Sequence, residues 1–317
     1  MDEKKELELF ESSEVQKRAF VPSVFISAAL PLRDNKRNTF TRKYNNITMT
    51  LSGAQKVPYG KYGRLLLAIL TTHAVQVKNN NDGSVVLTYP SIKALLDEMQ
   101  LPRQRMKDVM EQLDCFKQCS FIYEEVKTTR INYPSLFDDD ESVIPFDDGK
   151  VIAEKVSTGL IPFFETMQYI RITDKTDIQK GMAFEIKLAQ PFVRLSQQHS
   201  VPVNYTVYKE ISSAVGKDLY AWICYRNNFI EEGKPLFIPR HSLVEQFMPV
   251  TNENNPQIQE GTNYQRIKEQ IELIKEKYYP ELNVSFMKDG SGMELRKSPA
   301  VILPDDKVRY VLVTSDN

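Results

Sequence analysis

One order of elements occurs twice along this chain of 317 residues. Each copy contains a strongly apolar helix, a strand that leads into a short helix, an amphipathic helix and a pair of strands. The first copy comprises LLLAILTTHAV (65–75), VVLTYPSIKALLDEM (85–99), RQRMKDVMEQL (103–113) and SFIYEE (120–125). The second comprises AWICYRNNFI (221–230), PLFIPRHSLVEQF (235–247), NYQRIKEQIELIKEKY (263–278) and the strands NVSFMKD and GMELRK (283–297). We expect Ser91 and Ser242 to begin the equivalent short helices.

This repeated order predicts an α+β fold with two tandem winged-helix domains, each a helix-turn-helix followed by a β-wing. A unit of this kind lays one helix into a groove of DNA. Two units in tandem therefore favour a protein that binds a long site on double-stranded DNA.

The composition is typical of a soluble protein, with 41% hydrophobic and 26% charged residues. No apolar run approaches the ~18 residues that a membrane span needs, so we expect no membrane association. The charged N-terminus MDEKKELELF has the pattern of neither a signal peptide nor a transit peptide. Three cysteines, an odd number, favour a reducing compartment, and we expect a cytoplasmic protein.

The predicted domain organisation has four parts. These are a flexible N-terminal tail (1–20), an N-terminal winged-helix domain (21–200), a C-terminal winged-helix domain (201–300) and a C-terminal tail (301–317) in which Arg309–Val313 forms a strand. The N-terminal domain contains an insertion (127–165) whose central part (134–150) is acidic, with Asp138, Asp139, Asp140, Glu141, Asp147 and Asp148 and no base between 138 and 148.

Within the first domain, SVFISAAL (23–30) and NNITMTLS (45–52) are expected to form strands, and 60–77 a buried helix. MQYIRIT (167–173) and AFEIKLAQPFVRLSQQ (183–198) are expected to return and pair with the first wing. In the second domain, PVTNENNPQIQEGT (249–262) is predicted to be a linker.

The net charge of −1 weakens a nucleic-acid interpretation, because most DNA-binding proteins are basic. Charge is unevenly distributed, however, and the acid run masks basic surface elsewhere. The stretch between the first two predicted strands carries five cations against Asp34, namely Arg33, Lys36, Arg37, Arg42 and Lys43. This stretch is either a loop that clamps DNA phosphates or a solubilising loop.

In the predicted helix 263–278, Ile267, Ile271, Ile274 and Tyr278 recur at helical spacing and would face the core. The other side supplies the candidate DNA-binding residues, with Asn263 as N-cap: Asn263, Tyr264, Gln265, Arg266, Lys268 and Glu269. Glu269 and Glu272 would repel phosphates unless they accept from cytosine, and a merely solvated polar face is the alternative. The following hairpin, with an Asp289–Gly290 turn, adds Lys288, Arg296 and Lys297.

The equivalent helix of the first domain is a weaker candidate. Met106, Val109, Met110 and Leu113 are expected to point inward, and Asp108 outward with the candidate DNA-binding residues Arg103, Gln104, Arg105 and Lys107. The small excess of positive charge also fits a domain that serves mainly for assembly or for contact with the DNA backbone.

The sequence offers no recognisable catalytic or metal-binding motif. No Gly-Lys pair is followed by Ser or Thr, so the phosphate-binding loop of an ATPase is missing. His73, His199 and His241 are too scattered for the paired ligands of a metal nuclease or a nickase. Cys115 and Cys119 lack a second pair of ligands for zinc. We therefore expect a protein that is not an enzyme and needs no metal or cofactor.

Three segments resemble the N-terminal signature of plasmid-encoded RepA-type replication initiators. They are VPSVFISAALPLRD (21–34), FTRKYNNITMTLSG (40–53) and PYGKYGRLLLAILTTHAV (58–75). The specific features are the Pro-Tyr-Gly turn, the arginine before a leucine-rich helix and the Thr-Thr-x-Ala-Val ending. The resemblance is strongest over 21–125, continues to ELRKSP (294–299) and is absent from the acidic insertion.

The resemblance implies two winged-helix domains that bind direct repeats (iterons) at a plasmid origin and recruit host replication proteins such as the helicase loader, without ATPase or nicking activity. It also implies that the C-terminal domain carries most base recognition, through Asn263, Gln265, Arg266 and Lys268. The N-terminal domain, with Arg103, Arg105 and Lys107 on the equivalent helix, would also support a homodimer. The mild overall acidity and Glu269 and Glu272 depart from this pattern.

A shorter resemblance lies in ELELF (6–10), which is similar to the Gln-Leu-x-Leu-Phe peptide by which partners dock on the bacterial sliding clamp. Leu7, Leu9 and Phe10 would fill the apolar pocket of the clamp, although Glu6 replaces the glutamine. A frayed amphipathic terminus is the alternative.

Three other functions compete with an origin-binding initiator. A dimeric winged-helix transcriptional repressor would prefer inverted half-sites, whereas an initiator monomer would line up on direct repeats. A scaffold would use both wings to add strands to protein partners. A rolling-circle nickase is disfavoured by the missing histidine pair.

Overall fold

The structure is a computed structural model that describes residues 18–44, 47–76, 83, 85–129, 153–170, 183–252 and 254–301. The first part contains β1 (Arg18–Pro22), α1 (Ser23–Ser27), β2 (Thr39–Tyr44), β3 (Ile47–Gly53), α2 (Gly60–Gln76), β4 (Val85–Tyr89), α3 (Ile92–Glu98), a 3-10 turn (Arg103–Arg105), α4 (Met106–Lys117), β5 (Cys119–Thr129), β6 (Ala153–Pro162), β7 (Phe164–Ile170), β8 (Ala183–Leu188) and α5 (Gln190–Gln198). The second part contains β9 (Ser200–Asn204), α6 (Tyr205–Glu210), α7 (Ala214–Asn227), β10 (Leu236–Pro239), α8 (Arg240–Phe247), α9 (Pro256–Lys277), β11 (Val284–Phe286) and β12 (Gly292–Leu295).

Helix α2 is the central helix of the first unit. Its middle, Leu65–Leu70, is buried on every side, as expected for a helix without a polar face. The predicted helix over 60–77 is therefore confirmed. Ser91 caps α3 as predicted, since its Oγ accepts a hydrogen bond from the Ala94 amide at 3.3 Å.

Segment 23–30 was expected to form a strand and instead contains helix α1. Val24, Phe25 and Ile26 are all buried, so the in-out alternation of a half-exposed strand is lost. The helix starts directly after Pro22, which is its N-cap and has an extended backbone with φ of −63°, the value that the proline ring imposes. By contrast, the strand predicted over 45–52 is present as β3.

The predicted wing of the first unit lies in a four-stranded antiparallel sheet in the order β2-β3-β5-β6. The predicted insertion over 127–165 is therefore wrong at both ends, since β5 continues to Thr129 and β6 begins at Ala153. The acidic run itself lies outside the described residues.

The later strands do not pair with this wing, contrary to the prediction for 167–173 and 183–198. They form a separate sheet with the order β4-β8-β7. The chain passes from one sheet to the other at Phe163, between β6 and β7. This residue is fully buried, and its ring lies 4.8 Å from Phe116, 5.1 Å from Phe121 and 5.4 Å from Phe192 between centroids. The core of the first unit therefore sits at the junction of its two sheets.

The second unit has a three-stranded antiparallel sheet in the order β10-β12-β11, packed with α7, α8 and α9. Helix α9 begins at Pro256, so most of the predicted linker 249–262 is helix or its capping turn. Ser242 lies inside α8, which begins at Arg240 after Pro239, and so it does not begin the helix as Ser91 does. Gly290 at the hairpin turn has a φ of +72°, a conformation that glycine adopts at low cost.

The two units share one hydrophobic core and a sheet. Strand β1, at the start of the first unit, pairs antiparallel with β9, whose residues straddle the predicted boundary at 200/201. Arg64 in α2 and Asp218 in α7 are both buried and form a two-pronged ion pair, with Nε–Oδ1 at 2.6 Å and Nη2–Oδ2 at 2.7 Å. The fold is thus mixed, with helices and several sheets, and its two halves pack as one body. No described helix is long and apolar enough to cross a membrane.

Candidate nucleic-acid interface

The start of α9 is held by a compact turn. Asn252 Oδ1 accepts hydrogen bonds from the Asn254 amide at 3.0 Å and the Asn255 amide at 3.3 Å. Gln259, one turn into the helix, reaches back, and its Oε1 accepts from the amides of Thr251 at 3.0 Å and Asn252 at 2.6 Å. Pro256 occupies the first turn, where its missing N–H costs nothing. The exposed beginning of this helix is therefore fixed in place.

Helix α9 has one buried face and one exposed stripe. Tyr264, Ile267, Ile271 and Ile274 are buried, as the sequence predicted for the three isoleucines. The opposite stripe consists of residues spaced three or four apart, Ile258, Thr262, Gln265, Glu269, Glu272 and Glu276, all exposed. Its first half is uncharged and its second half is acidic.

Two of the candidate base-reading residues face away from this stripe. Asn263 is buried, and its Nδ2 donates to the Met248 carbonyl at 2.7 Å. Tyr264 is also buried, and its hydroxyl donates to the Gly292 carbonyl at 2.9 Å. Both residues lie three or four positions before the buried Ile267, so they share the inner face of α9 and their prediction as base-reading residues is wrong. Asn263 is also not the N-cap, because α9 already begins at Pro256.

The other candidates on α9 are accessible to different degrees. Gln265 and Arg266 are exposed, and Gln265 Nε2 donates to Glu269 Oε1 at 3.2 Å. Lys268 is half-buried, with its Nζ 3.7 Å from Glu272 Oε1 and 5.3 Å from the ring centroid of Phe286. Lys268 thus lies between the helix and strand β11 of the wing.

The candidates on the second wing are separated along it. Lys288 is exposed at the turn, next to Asp289. Hydrogen bonds from Ser291 lower the pKa of Asp289 and fix the turn. Arg296 and Lys297 follow the opposite end of β12, where Lys297 Nζ donates to the Asn227 carbonyl at 2.6 Å. The structure therefore brings Lys288 to the wing tip but leaves Arg296 and Lys297 at the wing base.

Arg240 is a candidate that the sequence did not suggest. Its amide donates to the Ser291 carbonyl at 2.8 Å, and its Nε lies 3.0 Å from Glu260 Oε1. The guanidinium carbon is 5.5 Å from the ring centroid of Tyr264. Arg240 thus joins α8, α9 and the wing turn while about a third of its side chain is exposed. The Pro-Arg pair at a helix start was the only signal in the sequence.

In the first unit, the candidate residues Arg103, Gln104, Arg105 and Lys107 are all exposed. Arg105 Nη1 lies 3.6 Å from Asp108 Oδ2, so Asp108 faces its own helix and is only half-exposed. Met110 was expected to point inward but is 44% exposed. It lines a groove of about 900 Å³ between α4 and the segment after β3.

The basic stretch is not one loop, because its last residues belong to β2. Arg33, Lys36, Arg37 and Lys43 are exposed. Arg42 is buried between the units, and its Nη1 donates to the Gln246 carbonyl at 3.1 Å. Burial lowers the pKa of Arg42 to about 10. Arg42 is therefore not available to DNA, and its prediction as a phosphate contact is wrong.

Other features bear on function less directly. The sliding-clamp residues Leu7, Leu9 and Phe10 and the predicted strand Arg309–Val313 lie outside the described residues. Among the residues that are described, no group of three or more His, Cys, Asp or Glu side chains is placed to hold a metal ion. Cys115, Cys119 and Cys224 are buried free thiols, and burial raises the pKa of Cys115 to about 11.

Comparison with known proteins gives weak similarities to solved structures. No family model and no curated protein matches the chain, so the resemblance to RepA-type initiators is not supported by a family match. A crystal structure of selenomethionine derivatives of domains 2 and 3 of RctB has a TM-score of 0.47 and 10% identity, and covers 87% of this chain and 96% of that one. A second crystal structure of RctB domains 2–3 has a TM-score of 0.43 and 12% identity, and covers 86% of this chain and 94% of that one. Both similarities are too weak to support an argument about this chain.

Proposed function

We propose that this protein is a replication initiator that binds direct repeats at a plasmid origin on double-stranded DNA. In this proposal it acts in the cytoplasm without enzymatic activity and recruits host proteins such as the helicase loader and the sliding clamp. The observation that carries the DNA-binding part is the second unit, in which α9 has an exposed, uncharged first half and packs on a β-hairpin through Tyr264, whose hydroxyl donates to the Gly292 carbonyl at 2.9 Å. That is the arrangement by which a winged helix enters the major groove.

The order of elements supports a winged-helix interpretation of the second unit. A helix (α7), strand (β10), helix (α8), helix (α9) and hairpin (β11–β12) follow one another, and β10 pairs with β12. The first unit has the same order from α2 to β6, but its strand β4 pairs with β8 instead of the wing. We interpret the first unit as a winged helix in which β4, the strand equivalent to β10, pairs with β8 of a separate sheet instead of with the wing.

The interface between the units supports binding to a long asymmetric site. The Arg64–Asp218 ion pair and the β1–β9 sheet join the units, and Gln246 Nε2 donates to the Ile26 carbonyl at 3.2 Å. Because the units are packed together, α4 and α9 are held at one spacing. A single chain would then contact two different half-sites in a fixed order, which matches a direct repeat better than a palindrome.

Selection from random duplex DNA at about 150 mM salt, followed by mobility shifts, tests this proposal. We expect a long asymmetric site that binds one further chain for each repeat added. Affinity should fall by roughly 10³–10⁵-fold between about 50 and 200 mM salt if about 6–10 phosphates are contacted. A palindrome bound by a dimer would favour the repressor instead. Absence of any enriched site would favour the scaffold.

A pair of variants on α9 gives a sharper test of the interface. Arg266→Ala removes an exposed cation beside the exposed stripe of α9. If Arg266 contacts a guanine, this change should weaken specific binding by about 1–3 kcal/mol. An equal loss of affinity for random DNA would indicate that Arg266 contacts a phosphate instead. Lys277→Ala is the matched control, because it removes an exposed cation at the far end of the same helix. Equal losses for both variants would contradict this orientation of α9.

A further inference from the structure

The most exposed large hydrophobic side chain among the described residues is Ile258, which is 70% exposed. It lies in the first turn of α9, three residues after Asn255. Gln259, its neighbour, ties this turn to the preceding segment through three hydrogen bonds. The backbone at Ile258 is therefore held in place, while the side chain of Ile258 is exposed to solvent.

The stripe to which Ile258 belongs divides by charge. Ile258, Thr262 and Gln265 form its uncharged half, about two turns long. Glu269, Glu272 and Glu276 follow on the same side towards the C-terminus. Repulsion between these carboxylates and phosphates disfavours entry of the second half of the helix into a groove. In the proposed complex with DNA, base edges would therefore meet the first half of the stripe, from Ile258 to Gln265, and the neighbouring Arg266.

Among base-pair edges in the major groove, the thymine 5-methyl group is the one that an aliphatic side chain recognises. Ile258 has neither donor nor acceptor, whereas Thr262 and Gln265 can hydrogen-bond the neighbouring bases. A surface for protein partners would need a contiguous apolar patch, but the other members of this stripe are polar. The composition of the stripe therefore fits bases better than a protein surface.

We propose that Ile258 is a specificity-determining residue that selects thymine through its 5-methyl group. This inference rests on the proposed DNA-binding function and adds one base preference to it. It places base recognition at the start of α9, one to two turns before the residues Asn263 and Tyr264 that are buried.

The test replaces each thymine of the selected site, one at a time, by deoxyuridine, which lacks only the methyl group. With the wild-type protein we expect one position at which this change weakens binding by roughly four-fold, the value of one buried methyl group. Ile258→Ala should bind thymine and deoxyuridine equally at that position, whereas Ile258→Val should retain part of the preference. Phe229→Ala is the control, because Phe229 is 68% exposed but follows the end of α7, outside α9 and the β-hairpins.

Two results would overturn the inference. One is a site at which no deoxyuridine substitution changes the wild-type affinity. The other is an Ile258→Ala protein that discriminates thymine from deoxyuridine as strongly as the wild type. Both presuppose a selected site, so they are distinct from failure of the proposed function, which would appear as no enriched site at all.

Discussion

Removing Arg64 tests whether the two units depend on each other for stability. Besides its two bonds to Asp218, the guanidinium donates to three backbone carbonyls, at 2.6 Å to Leu30, 3.0 Å to Pro31 and 3.0 Å to Gly60. Arg64→Met keeps the length of the side chain but removes the donor of Asp218 and of the Leu30 carbonyl, whereas the Pro31 carbonyl still accepts from the Gly60 amide at 3.0 Å. Arg64 is 2% and Asp218 5% exposed, so water does not replace the lost bonds.

Breaking a buried ion pair by removing one partner costs about 3–5 kcal/mol. Because the buried carbonyls of Leu30 and Pro31 also lose a hydrogen bond, we expect Arg64→Met to fall in the upper part of that range. The total stability of a typical domain is about 5–15 kcal/mol, so this variant should unfold at a much lower urea concentration. Lys234→Ala is the control. It removes an ion pair with Glu231 in which both side chains are more than two thirds exposed, which should cost about 0–1 kcal/mol.

Trp222 provides the signal for urea unfolding. It is the single tryptophan of the chain, is 2% exposed and lies one turn after Asp218 in α7. Its fluorescence therefore reports the packing of α7 as the protein unfolds. A destabilisation below about 1 kcal/mol for Arg64→Met would refute the reasoning, since the ion pair would then be dispensable.

Three further predictions concern the second unit. Burial lowers the pKa of Lys217 from 10.5 to about 7, so between these two pH values the unfolded chain binds more protons than the folded one and stability rises with pH, by at most about 1.4 kcal/mol per unit. Urea titrations at several pH values should show a smaller rise for Lys217→Met, and an identical slope would contradict the lowered pKa of Lys217. Gly216→Ala would place a Cβ 2.7 Å from Gln270 Oε1 and 2.7 Å from Ser213 Oγ, and should lower stability by about 1–3 kcal/mol in thermal unfolding, whereas a raised Tm would show that these side chains move aside. Gln259→Ala should weaken specific DNA binding in mobility shifts with little change in Tm, because it frees an exposed turn, and unchanged affinity would mean that this turn does not position the stripe.

Strong periodicity made some elements predictable. The all-apolar run in α2 allowed only a buried helix, and Ile267, Ile271 and Ile274 fixed the inner face of α9. The start of α9 was missed because its first two turns contain a single large apolar residue, Ile258, and that residue is exposed. Its capping depends on Gln259, which contacts residues seven and eight positions earlier, and no standard N-cap pattern contains this arrangement.

Arg42 illustrates a second kind of error in the sequence interpretation. As one of five cations in a short stretch, it was grouped with a phosphate-binding loop. In β2, however, Phe40, Arg42 and Tyr44 share the inner face, and Thr41 and Lys43 lie on the outer one. The missed signal was therefore the alternation of inward-facing and outward-facing residues in TFTRKY (39–44). The partner of Arg42, the carbonyl of Gln246, is more than two hundred residues away, and local pattern cannot predict such a contact.

The pairing of β1 with β9 also sets a delay during synthesis. The partners of residues Arg18–Pro22, Ser200–Asn204, are made almost two hundred residues after them. At about 5–20 residues per second, that interval lasts roughly 10–40 s. Throughout it, helix α1, which carries the buried residues Val24, Phe25 and Ile26, lacks helix α7, against which it packs. Newly made chains should therefore depend on chaperones for longer than chains whose two units complete their packing independently.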